Sequence, residues 1–123
     1  MKQIIYALII IFISLGAQAQ LANTKWKTTL QTDEAVDVIF NFGSDTLDVT
    51  NAGDNSDIEA MKYTLQDTIL TLHKLYGQSQ CDTSSTGTYS YKINGTELWL
   101  KLISDNCDDR SNVIKDIKLN KTE

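Results

Sequence analysis

Apolar and polar residues alternate with a period of two along most of the chain after residue 23, a pattern typical of half-buried β-strands. Eight runs show it, and β-branched and aromatic residues, which favour strands, are frequent in them. Their apolar positions are Trp26 and Leu30; Val36, Val38, Phe40 and Phe42; Leu47 and Val49; Met61, Tyr63 and Leu65; Leu70 and Leu72; Tyr89, Tyr91 and Ile93; Leu98, Leu100 and Leu102; and Val113, Ile117 and Leu119. The chain is therefore predicted to be all-β, an up-and-down antiparallel β-barrel of about eight strands.

The connections between these runs alternate between tight turns and longer loops. The tight turns are residues 43–45, 66–67 and 94–95, and the last of them, Asn-Gly, is the strongest short hairpin signal. The longer loops are residues 31–34, 51–56, 76–86 and 104–111. Because alternate connections of a meander lie at opposite ends, the tight turns are predicted to close one end of the barrel, the floor. The longer loops then surround the other end, the mouth.

The first 19 residues have the layout of a secretory signal peptide. A lysine at position 2 precedes an apolar run over residues 4–15, and small residues at positions 17 and 19 mark a cleavage site. An apolar run this short favours a signal peptide over a membrane anchor, which needs roughly 20 residues. Residues 20–123 are then one exported domain, periplasmic or extracellular, with no stable membrane anchor after cleavage.

The chain has two cysteines, Cys81 and Cys107, and they bracket the sixth and seventh runs. If a two-residue turn at Asn94-Gly95 sets the register, Cys81 falls opposite Asp108, one residue from Cys107. Their Cα atoms then approach the distance of about 5.5 Å that a disulfide requires. Export and an even cysteine count favour the bond over two free thiols. We therefore predict a disulfide that ties the longest mouth loop to the end of the seventh strand.

Charge and the remaining reactive residues exclude several function classes. The net charge is −5, which makes nucleic acid an improbable partner. The single histidine, His73, has no legible nucleophile or orienting acid beside it, and no stretch has the ligand spacing of a zinc or EF-hand calcium site. We expect no catalytic residues, no metal and no cofactor, and hence a protein that is not an enzyme.

Acidic residues crowd the last mouth loop, where Asp105, Asp108 and Asp109 surround Cys107. The simplest interpretation is a solvated acidic rim, which disfavours anionic ligands relative to neutral or cationic apolar molecules. Arg110, the only arginine, follows directly. It has two interpretations: an ion pair with one of these carboxylates or with a backbone carbonyl, or a contact to a ligand.

Three further candidates for ligand binding are tyrosines on faces predicted to point inward, Tyr63, Tyr89 and Tyr91. A phenol combines an apolar ring with a hydroxyl group that needs a hydrogen-bond partner when buried. Such residues suit a pocket with a few polar anchors, and they suit equally a packed core. Leu102, late in the seventh run on the inward face, is predicted to lie with Tyr89 near the mouth.

Three stretches resemble the small bacterial lipocalin-like domains, relatives of the calycin barrels. Residues 21–26, Leu-Ala-Asn-Thr-Lys-Trp, resemble the opening Gly-x-Trp signature, with Thr24 in place of the glycine. Residues 61–72 resemble a hairpin that places a tyrosine before a turn and a Leu-Thr-Leu run after it. Residues 81–110 resemble an ending with cysteine, Gly-x-Tyr, a hairpin and Asp-x-Cys-x-x-Arg. The resemblance covers residues 23–119 and implies a barrel that binds small hydrophobic molecules.

Two functional hypotheses from different classes therefore stand. In the first, the barrel binds a small hydrophobic molecule through its mouth. In the second, the barrel is solid and the domain binds another protein, as an inhibitor or a surface adaptor. An eight-stranded barrel is just wide enough for side chains to fill, so the size of the interior residues favours a small cavity or none. Trp99 and Ile103, predicted to point outward, would suit a protein partner.

Overall fold

The computed structural model describes residues 21–122, so the predicted signal peptide, residues 1–19, lies outside the described part of the chain. Eight strands and one short helix follow in order. They are β1 (Thr24–Gln31), β2 (Ala35–Phe42), β3 (Thr46–Asn51), β4 (Asp57–Gln66), β5 (Ile69–Gly77), β6 (Thr86–Asn94), β7 (Glu97–Asp105), α1 (Asp108–Val113) and β8 (Asp116–Thr122).

The strands form a closed barrel in which each pairs antiparallel with the next and β8 pairs with β1. The predicted fold class is therefore confirmed, and the topology is compatible with a calycin-like fold. Closure is uneven, because β1 pairs with β2 along its whole length but with β8 only from Lys25 to Lys27. The hydroxyl group of Thr28 donates a hydrogen bond to the carbonyl of Lys118 at 3.0 Å and extends this seam by one residue.

The floor and the mouth also differ as the spacing predicted. Tight turns at residues 43–45, 67–68 and 95–96 close the floor, the last two each one residue later than predicted. Asp67 and Gly95 occupy left-handed backbone conformations there, with φ of 57° and 62°, which aspartate tolerates and glycine adopts freely. The mouth carries the four longer connections, residues 32–34, 52–56, 78–85 and 106–115, and the last of them contains α1.

The floor half of the barrel is filled by large side chains. Phe42 and Tyr63 meet edge to face with their ring centroids 5.2 Å apart, and Phe40 lies next to Phe42 at 6.5 Å. Such aromatic contacts stabilise a core beyond the apolar area they bury. Residues with at most 1% exposure along the core include Trp26, Val38, Phe40, Leu47, Met61, Leu70, Leu72, Tyr89, Leu98, Leu100 and Leu119. The predicted inward faces are therefore the core.

One predicted element is wrong. Alternation predicts that the eighth strand begins at Val113, but Val113 is the last residue of α1 and β8 begins at Asp116. The carboxylate of Asp105 accepts a hydrogen bond from the Cys107 backbone N–H at 2.9 Å just where the helix begins. Asp108 in the first turn also suits the positive end of a helix. Val113 still packs against the core, so alternation alone could not separate this helix from a strand.

Candidate functional site: a cavity at the mouth

A cavity of about 600 Å³ opens at the mouth, within the size range of small-molecule sites. Its apolar wall consists of side chains from β1 to β4 together with the end of α1, and polar side chains of the surrounding loops form its rim. The lining residues are Leu30, Gln31, Thr32, Asp33, Phe40, Val49, Ile58, Glu59, Met61, Gln78, Ser79, Asp109, Arg110, Asn112, Val113 and Ile114. The cavity therefore offers an apolar base and a polar entrance.

Beside the cavity, β1 and β8 are not paired toward the mouth. Backbone pairing between them ends at Lys27, so Leu30 at the mouth end of β1 has no partner on β8. Leu30 and Ile114, which directly follows α1, both line the cavity, and Ile114 is only 3% exposed. The helix thus lies across the mouth as one wall of the site and not as a solvated loop.

A buried hydrogen-bond network, here called the mouth network and consisting of Tyr89, Asp105 and Arg110, holds α1 in place. Arg110 binds Asp105 through two parallel bonds, Nε to Oδ2 at 2.7 Å and Nη2 to Oδ1 at 2.9 Å. The Tyr89 hydroxyl donates to Oδ2 at 2.5 Å, and the Cys107 N–H donates to Oδ1. Each carboxylate oxygen thus accepts two hydrogen bonds, and the Asp105 side chain is fully buried.

Gly87 gives the mouth network its space. A Cβ atom at this position would lie 2.5 Å from Oδ2 of Asp105 and 2.8 Å from Nε of Arg110, both closer than real Cβ contacts. Gly87 is directly opposite Asp105 in the register of β6 and β7. The sequence stretch Gly-x-Tyr with Asp-x-Cys-x-x-Arg therefore describes one buried structural unit.

Burial and hydrogen bonding shift the pKa of Asp105 in opposite directions. Burial by itself raises the pKa of Asp105, but the hydrogen bonds from Arg110, Tyr89 and the Cys107 N–H, with the charge of Arg110, bring it below its ordinary value. Burial, followed by the hydrogen bond to the Asp105 carboxylate, raises the pKa of Tyr89 far above its ordinary range. Around neutral pH the network therefore holds a carboxylate, a guanidinium and a neutral phenol.

Two ties connect α1 to the loop between β5 and β6. Cys81 and Cys107 form the predicted disulfide, with their Cα atoms 5.4 Å apart. One residue before Cys81, the Gln80 N–H donates a hydrogen bond of 2.8 Å to the Asp109 carboxylate. The disulfide is compatible with an oxidising compartment. Together with the mouth network, these ties fix two walls of the cavity against each other.

A second buried charge cluster supports the same loop. Lys74 is an inward-facing residue of β5 with 9% exposure, and its Nζ donates to the Ser79 carbonyl at 2.6 Å. Its charge lies 4.0 Å from the Glu59 carboxylate. Glu59 also accepts hydrogen bonds from the hydroxyl group and the N–H of Ser79. Glu59 and Ser79 line the cavity, so this cluster forms part of its polar rim.

The five predicted ligand-binding residues occupy three different places. Arg110 lines the cavity. Tyr63 and Tyr91 lie toward the floor, where their hydroxyl groups donate to the carbonyls of Gly43 and Asp67 in tight turns. Tyr89 belongs to the mouth network, and Leu102, half-buried, pairs with Tyr89 in the register of β6 and β7. The lining of this cavity therefore includes one of the five.

The predicted acidic rim needs one correction. Asp105 is not solvated, because its carboxylate is buried and bound to Arg110, which confirms the ion-pair interpretation of that arginine. Asp108 is exposed, and Asp109 lines the cavity. No sequence motif indicates the burial of Lys74 beside Glu59. The one available signal was that the alternation of Leu70 and Leu72 continues to position 74.

The outer surface carries a second feature predicted from the sequence. Trp99 and Ile103 point outward from β7 and are 43% and 53% exposed. The Lys118 ammonium lies 5.6 Å from the centre of the Trp99 ring and 3.3 Å from the Glu97 carboxylate. The lysine side chain thus covers part of the tryptophan, as amphipathic side chains commonly do.

Comparison of the chain with models of protein families, with curated proteins and with solved structures found no match. Within residues 21–122, no group of three or more His, Cys, Asp or Glu side chains is arranged to hold a metal ion. No helix in the same range has the length and apolarity needed to cross a bilayer.

Proposed function

We propose that this chain is an exported, lipocalin-like binding protein that takes up a small hydrophobic molecule in the mouth cavity, and that it is not an enzyme. The observation that carries the proposal is the cavity itself, about 600 Å³ in volume with an apolar base. Binding sites for small molecules commonly combine such a base with a few fixed polar groups. Arg110, Glu59 and Ser79 supply such groups at the lining, and the mouth network and the disulfide hold the elements around it in place.

The arrangement of the charged groups supports binding over catalysis. Asp105, the most deeply buried carboxylate at the mouth, already accepts four hydrogen bonds, so it has no capacity left to take a proton from a substrate. Its role is to hold Arg110 and α1. The disulfide between Cys81 and Cys107 supports export, because disulfides persist in oxidising compartments.

The binding proposal is tested with a neutral, environment-sensitive dye such as N-phenylnaphthylamine. Its fluorescence should rise on addition of the protein and report a dissociation constant. Ile58 is a half-buried residue that lines the cavity, so Ile58→Trp should fill part of the volume and weaken dye binding at least tenfold.

Leu102→Trp is the matched control, because Leu102 is also half-buried and apolar but does not line this cavity. Dye affinity should stay within about twofold of wild type in this variant, where twofold corresponds to less than 0.5 kcal/mol. Loss of binding in Leu102→Trp together with normal binding in Ile58→Trp would place the ligand away from the cavity. Circular dichroism of both variants establishes that the barrel is intact.

The second candidate function is a protein-binding module, which the exposed Trp99 and Ile103 favour. Under this alternative the outer face of β7, and not the mouth, contacts the partner. The two candidates differ in the effect on dye binding expected of Trp99→Ser. This substitution leaves the cavity unchanged, so the first candidate predicts normal dye binding and the second predicts its loss. Dye binding that persists in Ile58→Trp but disappears in Trp99→Ser would favour the outer face.

A further inference from the structure

One polar atom of Arg110, a residue that lines the cavity, has no partner. Arg110 has five N–H donors, and the one on Nε and one of the two on Nη2 donate to Asp105. Nη1 is buried, with less than 1 Å² of exposed area, and has no hydrogen-bond partner among residues 21–122. A buried donor without a partner is uncommon in proteins and indicates an acceptor, such as a water molecule or a ligand, that completes it.

The planar guanidinium sets the direction of this free donor. Nε and Nη2 occupy the edge that faces Asp105, so Nη1 lies on the side away from that carboxylate. Arg110 lines the cavity, whereas Asp105 does not. Because Nη1 has almost no exposed area, neighbouring side chains must shift slightly before an acceptor reaches it.

We infer that Nη1 of Arg110 anchors the polar end of the ligand, and that this end is a neutral hydrogen-bond acceptor such as a ketone or amide oxygen. The inference rests on the proposed binding function. The buried pair holds the guanidinium in one orientation, so its free donor is positioned before the ligand arrives. A donor fixed in this way binds an acceptor with little loss of side-chain entropy.

The charges around the cavity select a neutral acceptor over an anionic one. The charge of Arg110 is already balanced by the Asp105 carboxylate 2.7 Å away. The other charged residues that line the cavity are all acidic, Asp33, Glu59 and Asp109. Lys74 balances only Glu59, at 4.0 Å. A carboxylate or phosphate entering the cavity would therefore be repelled by a net negative field. A neutral carbonyl group carries no net charge, so it would not be repelled in this way.

The rest of the ligand must be apolar. Phe40, Val49 and Met61 form the base of the cavity, and they present hydrocarbon, ring and thioether surfaces. Phe40 and Met61 are at most 1% exposed, so the base is rigidly packed from below. The ligand class is thus a compact apolar molecule with one neutral acceptor near its end.

The inference is tested with three matched naphthalene probes on the wild-type protein. One carries a ketone side chain, the second has a methylene group in place of the carbonyl, and the third carries a carboxylate. Wild-type protein is preferred to Arg110→Ala, which would also break the buried pair with Asp105. Affinity is measured by fluorescence titration, and the ketone should bind about tenfold more tightly than either analogue, as expected for a hydrogen bond from a charged donor.

Nuclear magnetic resonance locates the contact, because Arg110 is the only arginine in the chain. In protein labelled with ¹⁵N-arginine and with methionine ¹³C-labelled at its methyl group, the ketone probe should shift the Nη1 resonance, while the methylene analogue should shift only the methyl signal of Met61. Equal affinities with an unchanged Nη1 resonance would overturn the inference, assign that donor to a bound water, and leave the binding function standing. Failure of all three probes to shift Met61 would overturn both proposals.

Discussion

The floor and the mouth of this barrel differ in how the strands are connected and in how the interior is filled. At the floor, three tight turns close the strands, and aromatic side chains such as Phe42 and Tyr63 fill the interior. At the mouth, four longer connections leave a cavity, and its walls are held by an ion pair, a disulfide and short polar contacts. Apolar packing fills the floor, whereas the mouth is held by an ion pair and a disulfide because its interior is not filled.

The tyrosines show the same contrast. Tyr63 and Tyr91 each donate one hydrogen bond to a turn carbonyl, at 2.5 and 3.0 Å, so they help to close the floor. Tyr89 instead donates to the buried carboxylate of Asp105. Three inward tyrosines of similar sequence context thus divide between two structural roles. The comparison separates a packed floor half from a mouth half that holds the cavity, and four predictions test that separation.

The largest effect is expected for Phe42→Ala at the floor. Phe42 is 2% exposed and packs against both Phe40 and Tyr63, so its loss leaves a cavity and should lower the free energy of unfolding by about 3–5 kcal/mol. Urea denaturation measures the change, with Lys62→Ala on the exposed face of β4 as the control. Dye binding by the folded fraction should be unchanged. Similar costs for the two variants would contradict a packed floor.

Removal of the disulfide should have the next largest effect and should act on the mouth. Cys81 and Cys107 are 26 residues apart, and the chain-entropy model gives about 3.5 kcal/mol for a loop of this size. In the double Cys→Ser variant, amide hydrogen exchange should accelerate around Gln80 and Asp109, while the floor strands remain protected. Uniformly faster exchange throughout the barrel would argue against separate halves.

Gly87→Ala should destabilise the protein by about 1–3 kcal/mol, because the added methyl group overlaps the buried pair of Asp105 and Arg110. Gly43→Ala is the matched control at the floor, where the new Cβ would have only an ordinary contact of 3.4 Å with the Thr46 carbonyl. Urea denaturation gives the cost, and the Arg110 side-chain resonance should move only in the first variant. An unchanged resonance in Gly87→Ala would be inconsistent with the close approach of Gly87 to Asp105 and Arg110.

The smallest effect is expected from acid, because burial offsets part of the hydrogen bonding that lowers the pKa of Asp105. Since the folded-state pKa lies below the ordinary value of 3.8, this carboxylate stabilises the fold above pH 3.8. That contribution is lost as the pH falls from 3.8 through the folded-state pKa. The ¹³C shift of the Asp105 carboxyl group measures the pKa directly. A midpoint above 3.8 would mean that burial, and not Arg110, dominates.

Much of this architecture could be predicted from the chain because it depends on local, repeating information. Alternation predicts the strands and their inward faces, and loop lengths predict which connections share an end. The register predicted from a turn at Asn94-Gly95 is wrong, because the turn residues are Gly95 and Thr96 and the pairing of β6 with β7 shifts again between Thr88 and Tyr89. The disulfide forms nevertheless, because both cysteines lie in the loops at the mouth end of this hairpin. Val113 is the exception to the strand prediction, because one apolar residue on a short helix fits the same alternation as one on a strand.

The amino-acid sequence by itself thus determined the barrel, its two unlike ends and the disulfide, since these follow from period, turn chemistry and spacing. Only the tertiary structure decided which polar groups would be buried. From the sequence, Asp105 is predicted to be one of several solvated acidic residues. Its burial depends on contacts with Tyr89 and Gly87 of β6 and with Arg110 of α1. A buried carboxylate is stable only when all of its hydrogen-bond partners are in place. These partners come from segments far apart in the sequence, and the alternation of apolar and polar residues does not report such contacts. The free donor on Arg110 is a consequence of that assembly, and so is the chemistry proposed for the ligand.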